Sequence, residues 1–317
     1  MLKLIQNEWL KIFKRPGTYV MIGLLILVIT ILGAVMKSQY GAAPEENPNW
    51  KQELQVQVDQ TKEQMESVKN GRNDQYQYYL REIAVKEYQI AHDMNPNQEY
   101  TVWGFLNDAS NAIQFAGLFV IIVAAGIVAS EFNWGTIKLL LIRPISRVKI
   151  LVAKYMTVLL FAVLMLLITF SYSCMIGFVL FGTPEVSVPY LNYVDGEIVE
   201  QNMLVHLIVF YGLKSISMLM LATMAFMISA VFRNSSLAIG ISIFLMFAGG
   251  QLTMMLASKY EWAKYMLFAN TELIQYFEGV PIVEGMTLTF SVGILVVYFV
   301  LFQFLTYYVF KKRDVAA

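Results

Sequence analysis

The residue types that carry out most protein chemistry are sparse in this sequence. His92 and His206 are the two histidines, they lie far apart, and the single cysteine, Cys174, lies within an apolar run. A catalytic zinc site needs three protein ligands at suitable spacing. The pattern G-x-x-x-x-G-K-[ST], which cradles nucleotide phosphates, does not occur. The sequence therefore predicts no catalytic residue, no metal site, no cofactor held by this chain and no enzymatic activity of its own.

Lys214 is the exception, because it interrupts a long apolar stretch. A charge at the centre of a bilayer costs about 2.5 to 3.5 kcal/mol on insertion scales, so such a residue is a functional candidate. One interpretation places Lys214 against a cavity or a seam between subunits. In the other, its ammonium reaches the outer headgroups while its stem stays in apolar surroundings. The sequence leaves both interpretations open.

The composition of the chain predicts which secondary-structure elements hold any functional site. Of the 317 residues, 57% are hydrophobic and 15% are charged, against roughly 25% charged in soluble domains. Six apolar runs approach the roughly 20 residues with which a helix crosses the hydrocarbon. We therefore predict an all-α integral membrane protein with six transmembrane helices. The spans are expected at 19–36, 109–130, 155–182, 203–232, 237–257 and 288–310.

These predicted spans contain no Asp or Glu. Buried carboxylates are typical of transporters that couple to protons or sodium, and paired aspartates are typical of some intramembrane proteases. Their absence indicates that the energy source of any transport lies outside this chain.

The charge distribution predicts the orientation of the spans. The 23 basic and 23 acidic residues cancel, which argues against nucleic acid as a partner because nucleic-acid proteins carry a basic surplus on one face. Segments on one side of the spans carry 13 basic and 3 acidic residues, and those on the other side carry 9 and 20. Because cytoplasmic loops are rich in Lys and Arg, both termini are predicted to be cytoplasmic. The cytoplasmic segments are 1–18, 131–154, 233–236 and 311–317, and the outer ones are 37–108, 183–202 and 258–287.

The outer segment 37–108 is predicted to form a helical hairpin between the first two spans. Leu54 and Val58 begin a stripe at helical spacing, turn-forming residues follow at 70–74, and a second stripe begins at Tyr76. One interpretation is a helical cap that binds no ligand. The other is a role in gating or recognising a substrate.

The cytoplasmic segment 131–154 carries the most informative pattern. An apolar face at helical spacing is formed by Trp134, Ile137, Leu140 and Leu141. A short helix with such a face can lie against lipid or fit a groove on a protein, and Pro144 would end it. The N-terminal segment 1–18 is amphipathic and basic, so it is predicted to be an elbow helix on the surface of an anionic membrane.

The motifs in these two segments resemble those of the ABC-2-type permease family, the membrane subunits of ATP-driven exporters. The resemblance rests on Asn7-Glu8-Trp9-Leu10-Lys11, Glu131-Phe132-x-x-Gly135-Thr136-x-Lys138, and Arg143-Pro144-x-Ser146-Arg147 with Lys154. The order of six spans with both ends inside also fits, so the resemblance covers the whole chain. It implies a dimer with a second copy or a paralogue, held by two separate ATP-binding subunits that carry ATP and Mg²⁺. It also implies a re-entrant helical segment within 258–287, for which aromatic anchoring at the membrane surface is the alternative.

The same resemblance implies that the segment 131–154 is a coupling helix seated in the ATPase. The residues expected to couple are Glu131, Trp134, Thr136, Leu140, Arg143 and Arg147. An interfacial helix that contacts membrane lipid and no ATPase is the alternative. Within this segment, Glu131 is expected to order the turn or to pair with a neighbouring cation rather than to act as an acid or base.

The function expected from the resemblance is export across the bacterial cytoplasmic membrane. The cargo would be an amphipathic or hydrophobic compound, such as a peptide antibiotic, a drug or a lipid-like molecule. Export of an antibiotic would give the protein a role in antibiotic resistance. The alternative is a non-transporting membrane sensor or assembly protein whose outer hairpin binds a ligand.

Overall fold

A computed structural model describes residues 1–41, 47–69, 73–96, 100–136, 145–183, 189–194 and 196–312. Six helical stretches of this chain are long and apolar enough to cross a membrane. The chain is thus a predominantly helical, multi-pass membrane protein.

The helices are numbered in chain order. The long ones are α2 (Pro16–Tyr40), α6 (Ile113–Asn133), α7 (Arg147–Phe181), α8 (Met203–Phe232), α9 (Ser235–Ala257) and α12 (Leu288–Lys312). The others are α1 (Leu2–Phe13), α3 (Trp50–Val68), α4 (Asn73–Ala91), α5 (Val102–Ala109), α10 (Leu267–Asn270) and α11 (Gln275–Glu278). Two 3₁₀ turns, Ser110–Ala112 and Glu261–Tyr265, join α5 to α6 and precede α10.

The centre of the bundle is formed by α6 and α8. Small residues on α6 allow the two backbones to approach closely, and a methyl group added at Gly117 would lie 3.3 Å from Met218 Cγ. The hydroxyl of Ser229 accepts the amide N–H of Ala129 at 2.9 Å, which links the two helices. In contrast, only 17% of the most apolar 18-residue stretch is buried in each of α2, α9 and α12. These three helices therefore keep apolar faces that lipid or a second subunit would cover.

The segment between the first two spans contains the antiparallel pair α3 and α4. Leu54 and Val58 on α3 and Ile83 on α4 are buried. At the surface of the pair, Lys62 Nζ lies 2.7 Å from Glu87 Oε1. This hydrogen bond raises the pKa of the exposed Lys62 ammonium. The pair therefore combines one apolar stripe with a charged outer face.

The outer segment 183–202 departs from the all-α prediction. Strands β1 (Tyr190–Val194) and β2 (Glu197–Gln201) pair antiparallel. The Asp-Gly dipeptide at 195–196 is a strong hairpin signal. Gly196 has a φ of 94°, a backbone conformation that residues with a Cβ rarely adopt. This signal is readable in the sequence, although each strand is only five residues long.

The predicted cytoplasmic loop 131–154 is shorter in the structure. Helix α6 continues to Asn133 and α7 already begins at Arg147, so Glu131 and Lys154 both lie on helices. The Ser146 side chain accepts the amide N–H of Lys149 and starts α7. The second membrane-spanning stretch, Val102–Asn133, therefore does contain acidic residues. Asp108 and Glu131 lie just outside the predicted span 109–130, which itself contains no carboxylate. Glu131 can be buried at the end of the helix because cations neutralise it.

Described parts of the segments predicted to be cytoplasmic lie at one end of the bundle. We call it the basic end and define it by α1 and residues 131–136, 145–154 and 233–235. Asn133 Nδ2 donates to Ser235 Oγ at 2.8 Å. The Arg233 guanidinium lies 4.5 Å from the centre of the Phe132 ring. The ends of α6, α8 and the start of α9 are thus in contact.

We expect the basic end to face the cytoplasm, because of the 13 to 3 basic excess in its predicted segments. In a Cys174→Ala background, cysteines introduced at Gln55 and Asn192 should react with a membrane-impermeant maleimide in intact cells. A cysteine at Ser146 should react only after the membrane is permeabilised. Labelling of Ser146 in intact cells, with Gln55 protected, would reverse the orientation.

Candidate functional site

Two carboxylates and two lysines meet where α1, α6 and α7 converge at the basic end. We call Glu8, Lys11, Glu131 and Lys154 the ion cluster. The exposed fractions are 6% for Glu8, 7% for Glu131 and 1% for Lys154. Charges buried this deeply are costly unless they are paired and hydrogen-bonded. Their formal charges sum to zero, so the cluster satisfies the first of these requirements.

Lys154 is the centre of the ion cluster. Its Nζ donates to Glu8 Oε2 at 2.7 Å, to Glu131 Oε1 at 3.0 Å and to the backbone carbonyl of Ile127 at 3.0 Å. A lysine ammonium has three N–H donors, so the three acceptors account for its full capacity. The side chain is therefore fixed in position by three partners from two helices.

Lys11 closes the ion cluster on its accessible side. Its Nζ lies 2.8 Å from Glu8 Oε1 and 2.8 Å from Glu131 Oε1. Burial works against the charge of Lys11, but the hydrogen bonds to Glu131 and Glu8 outweigh it and raise the pKa of the Lys11 ammonium. Lys11 therefore stays protonated at neutral pH, and Glu131 is bridged by two cations.

The local sequence explains why α1 delivers Glu8 and Lys11 to this position. Glu8, Lys11 and the buried Ile12 follow one another at helical spacing on α1, so they share one face. The Thr18 hydroxyl donates to the carbonyl of Ile12 at 2.6 Å and holds the end of α1 against the start of α2. Pro16 occupies the first position of α2, where its missing N–H costs nothing.

Glu131 also orders the chain that follows α6. The Thr136 hydroxyl donates to Glu131 Oε2. Between them, Gly135 has a φ of 69°, which favours glycine. The chain thus turns sharply after α6 and is held to Glu131 five residues later. Because every charged group in the ion cluster is paired, the arrangement is suited to holding helices together and not to acid or base catalysis.

The structure places the predicted coupling residues as follows. Glu131 and Thr136 are in contact within the ion cluster and its turn. Trp134 is 64% exposed, with the Arg15 guanidinium 4.9 Å from its ring centre. Arg147 lies on the first turn of α7. Leu140 and Arg143 lie outside the described residues, and so does the rest of the predicted helical face between 137 and 144. Lys214 lies away from this group, beside the 3₁₀ turn between α5 and α6.

No pattern in the sequence groups Glu8, Lys11 and Lys154 as parts of one site. The Glu8–Lys11 spacing of three residues is a visible signal for a pair on a helix. Lys154 is visible as a cation next to the third apolar run. Nothing in the sequence pairs Glu8 with Lys154, because 146 residues separate them. Only the packing of α1 on α7 brings them together.

We expect Lys154→Met to destabilise the protein strongly, because it leaves two carboxylates in a buried site without their central cation. Losing one partner of a buried ion pair costs about 3 to 5 kcal/mol in free energy of unfolding. Denaturant titration in mild detergent would measure the loss. Lys149→Met is the matched control, since Lys149 is exposed on the same helix, and it should change stability by less than about 0.5 kcal/mol.

A double-mutant cycle then tests the pairing itself. Adding Glu131→Gln to Lys154→Met should cost less than the sum of the two single changes, by roughly 0.5 to 3 kcal/mol. Additive effects, or a Lys154→Met variant as stable as Lys149→Met, would show that the ion cluster does not hold the helices together.

Comparison with known proteins places the chain in a family. Residues 74–316 match the family described as "Protein of unknown function (DUF2705)". The "Uncharacterized protein YhcI" of Bacillus subtilis (strain 168) is 50% identical over 321 residues, covering 100% of both chains. The "Uncharacterized membrane protein YdbK" of the same organism is 32% identical over 197 residues, covering 62% of this chain and 76% of that protein. The chain belongs to the DUF2705 family.

Proposed function

We propose that this chain is the permease subunit of an ATP-driven exporter and works with a separate ATP-binding subunit. The observation that carries the proposal is the ion cluster at the base of the predicted coupling segment. It joins α1, the end of α6 and the start of α7, which are the elements on which a coupling helix would act.

The geometry suggests how a displacement would be transmitted. The chain enters the segment 137–144 from Thr136, whose hydroxyl donates a hydrogen bond to the carboxylate of Glu131. It leaves the segment at Ser146, two turns before Lys154. Glu131 and Lys154 are themselves joined at 3.0 Å. A force applied by a partner to this segment would therefore move the ends of α6 and α7 as one unit, and α1 with them.

The motif behind the family resemblance has a physical role in this arrangement. In Glu131-Phe132-x-x-Gly135-Thr136, Glu131 binds the two lysines, Gly135 makes the left-handed turn and Thr136 fastens the turn to Glu131. These roles match what a coupling element requires, namely a rigid connection between a contact surface and the spans. This agreement of motif and geometry supports the exporter proposal over a plain membrane anchor.

The predicted membrane orientation and the exposed apolar faces of the helices support the remaining parts of the proposal. The basic end would face the cytoplasm of a bacterial cell, where an ATPase is available, with both termini on that side. The sparsely buried faces of α2, α9 and α12 leave room for a second permease copy or a paralogue as well as for lipid. The cargo would be an amphipathic or hydrophobic compound, since it must pass between apolar helices.

Trp134→Ala tests the contact with the ATPase. Exposed aromatic anchors that fit a partner's pocket typically contribute about 2 kcal/mol or more. A tagged chain purified from its host in mild detergent should bring along an ATPase with a phosphate-binding loop. The Trp134→Ala variant should recover at least several-fold less of it and show correspondingly less ATP hydrolysis. Trp262→Ala is the control, because Trp262 is 52% exposed and belongs to a predicted outer segment.

Two outcomes would contradict the proposal. One is purification without any ATPase under conditions in which the chain stays folded and membrane complexes survive. The other is equal recovery of the ATPase with Trp134→Ala and Trp262→Ala. Recovery of a cytoplasmic regulator in place of an ATPase would favour the sensor or assembly function.

A further inference from the structure

A cavity with a polar and an apolar wall lies between α6, α8 and α9, next to the 3₁₀ turn that joins α5 to α6. Its volume is about 210 Å³. One part of its wall is polar and includes Asn111, Gln114 and Lys214, and another part is apolar and includes Met218 and Met246. A cavity with both kinds of wall inside a membrane bundle suits a molecule that has a polar head and an apolar body.

Lys214 places an ammonium group at this cavity, and its hydrogen-bond acceptors there are neutral. Its Nζ donates to Ser110 Oγ at 2.7 Å and to Asn111 Oδ1 at 3.1 Å. The Phe210 ring centre lies 4.6 Å away. All three partners are formally neutral, and within the described part of the chain no carboxylate lies within ion-pair distance of Lys214.

The comparison with Lys154 shows what is unusual about Lys214. Lys154 uses its three N–H donors on two carboxylates and a carbonyl. Lys214 uses two donors on neutral oxygens among the residues that the structure describes. An ammonium in a span that makes no direct ion pair gains from an anionic ligand. Lys154 is thus saturated by the protein, and Lys214 keeps a donor for a bound molecule.

Glu272 contributes a negative charge to the same cavity. It lines the wall together with Lys214, it is exposed, and its carboxylate makes no hydrogen bond or ion pair with any residue in the described ranges. A purely anionic ligand would be attracted by Lys214 and repelled by Glu272. A ligand with an acidic group and an ammonium group would be attracted by both.

We infer that this cavity binds the zwitterionic headgroup of an aminophospholipid. Lys214 binds the phosphate, Glu272 faces the ammonium, and the acyl chains leave along the apolar wall near Met218 and Met246. A phospholipid is the favoured ligand because the cavity lies among apolar helices, where lipid is the surrounding solvent. The binding site stands on its own, and only its identification as the site of the transported molecule rests on the proposed function.

Lipid titration of the purified full-length chain, followed by native mass spectrometry, tests the inference. The probes are dioleoyl phosphatidylethanolamine and dioleoyl phosphatidylglycerol. Lys214→Met should weaken phosphatidylethanolamine binding by about tenfold or more, the loss expected for a charge-assisted hydrogen bond. Glu272→Gln should also weaken the binding of phosphatidylethanolamine. It should shift the lipid preference towards phosphatidylglycerol. Lys214→Arg should retain binding, because it keeps the positive charge.

Lys259→Met and Glu261→Gln are matched controls, since both residues are exposed and neither lines this cavity. They should leave both lipid affinities unchanged. Folding is not expected to limit the test, because Lys214→Met removes a charge that is costly in a membrane. Thermal unfolding of each variant would verify this.

Three results would overturn the inference. If Lys214→Met and Glu272→Gln bind lipid like the controls, the lipid is held elsewhere on the protein. If Glu272→Gln leaves phosphatidylethanolamine binding unchanged, the cavity selects anions and not zwitterions. If neither lipid binds to the unaltered chain, the cavity is not a lipid site. None of these results depends on an ATPase, so they leave the proposed exporter function to be judged by its own test.

Discussion

The arrangement of the basic end depends on one constraint, which is that a charge removed from water must be neutralised and hydrogen-bonded. Lys154 is 1% exposed, and its charge is tolerated because the carboxylates of Glu8 and Glu131 accept hydrogen bonds from its ammonium. This requirement brings the N-terminal helix onto the third span. It also explains how a glutamate on α6 and a lysine on α7 can be buried in predominantly apolar helices. The same contacts hold the two sides of the segment that we propose as a coupling element.

The two lysines inside the bundle differ in how the protein satisfies them. Lys154 has three protein acceptors, including two carboxylates, and is a structural residue. Lys214 has neutral acceptors and a polar cavity in front of it. One position therefore fixes helices and the other is available to a ligand. In the proposed exporter, the first would transmit force from the ATPase, and the second would lie on the path of an amphipathic molecule.

The spans and the outer helical pair could be predicted from the sequence because hydropathy and helical periodicity are local properties. Leu54 and Val58, which begin the predicted stripe, are buried as their spacing indicates. The ion cluster could not be predicted, because it joins residues 146 positions apart and depends on how α1 packs. The β-hairpin at Tyr190–Val194 and Glu197–Gln201 could be predicted in principle from its Asp-Gly turn. The start of α7 at Arg147 is hard to predict, because a charged first turn looks like a loop until its partners are known.

In this arrangement the ion cluster makes α1 and the start of α7 one rigid unit. The most direct measurement is the distance distribution between nitroxide labels at Gln6→Cys on α1 and Lys149→Cys on α7, in a Cys174→Ala background, by pulsed electron resonance. Both positions are exposed and outside the ion cluster. We expect one narrow distance distribution, which should broaden when Lys154→Met is added. A distribution that is already broad with the ion cluster intact, or that Lys154→Met leaves unchanged, would contradict it.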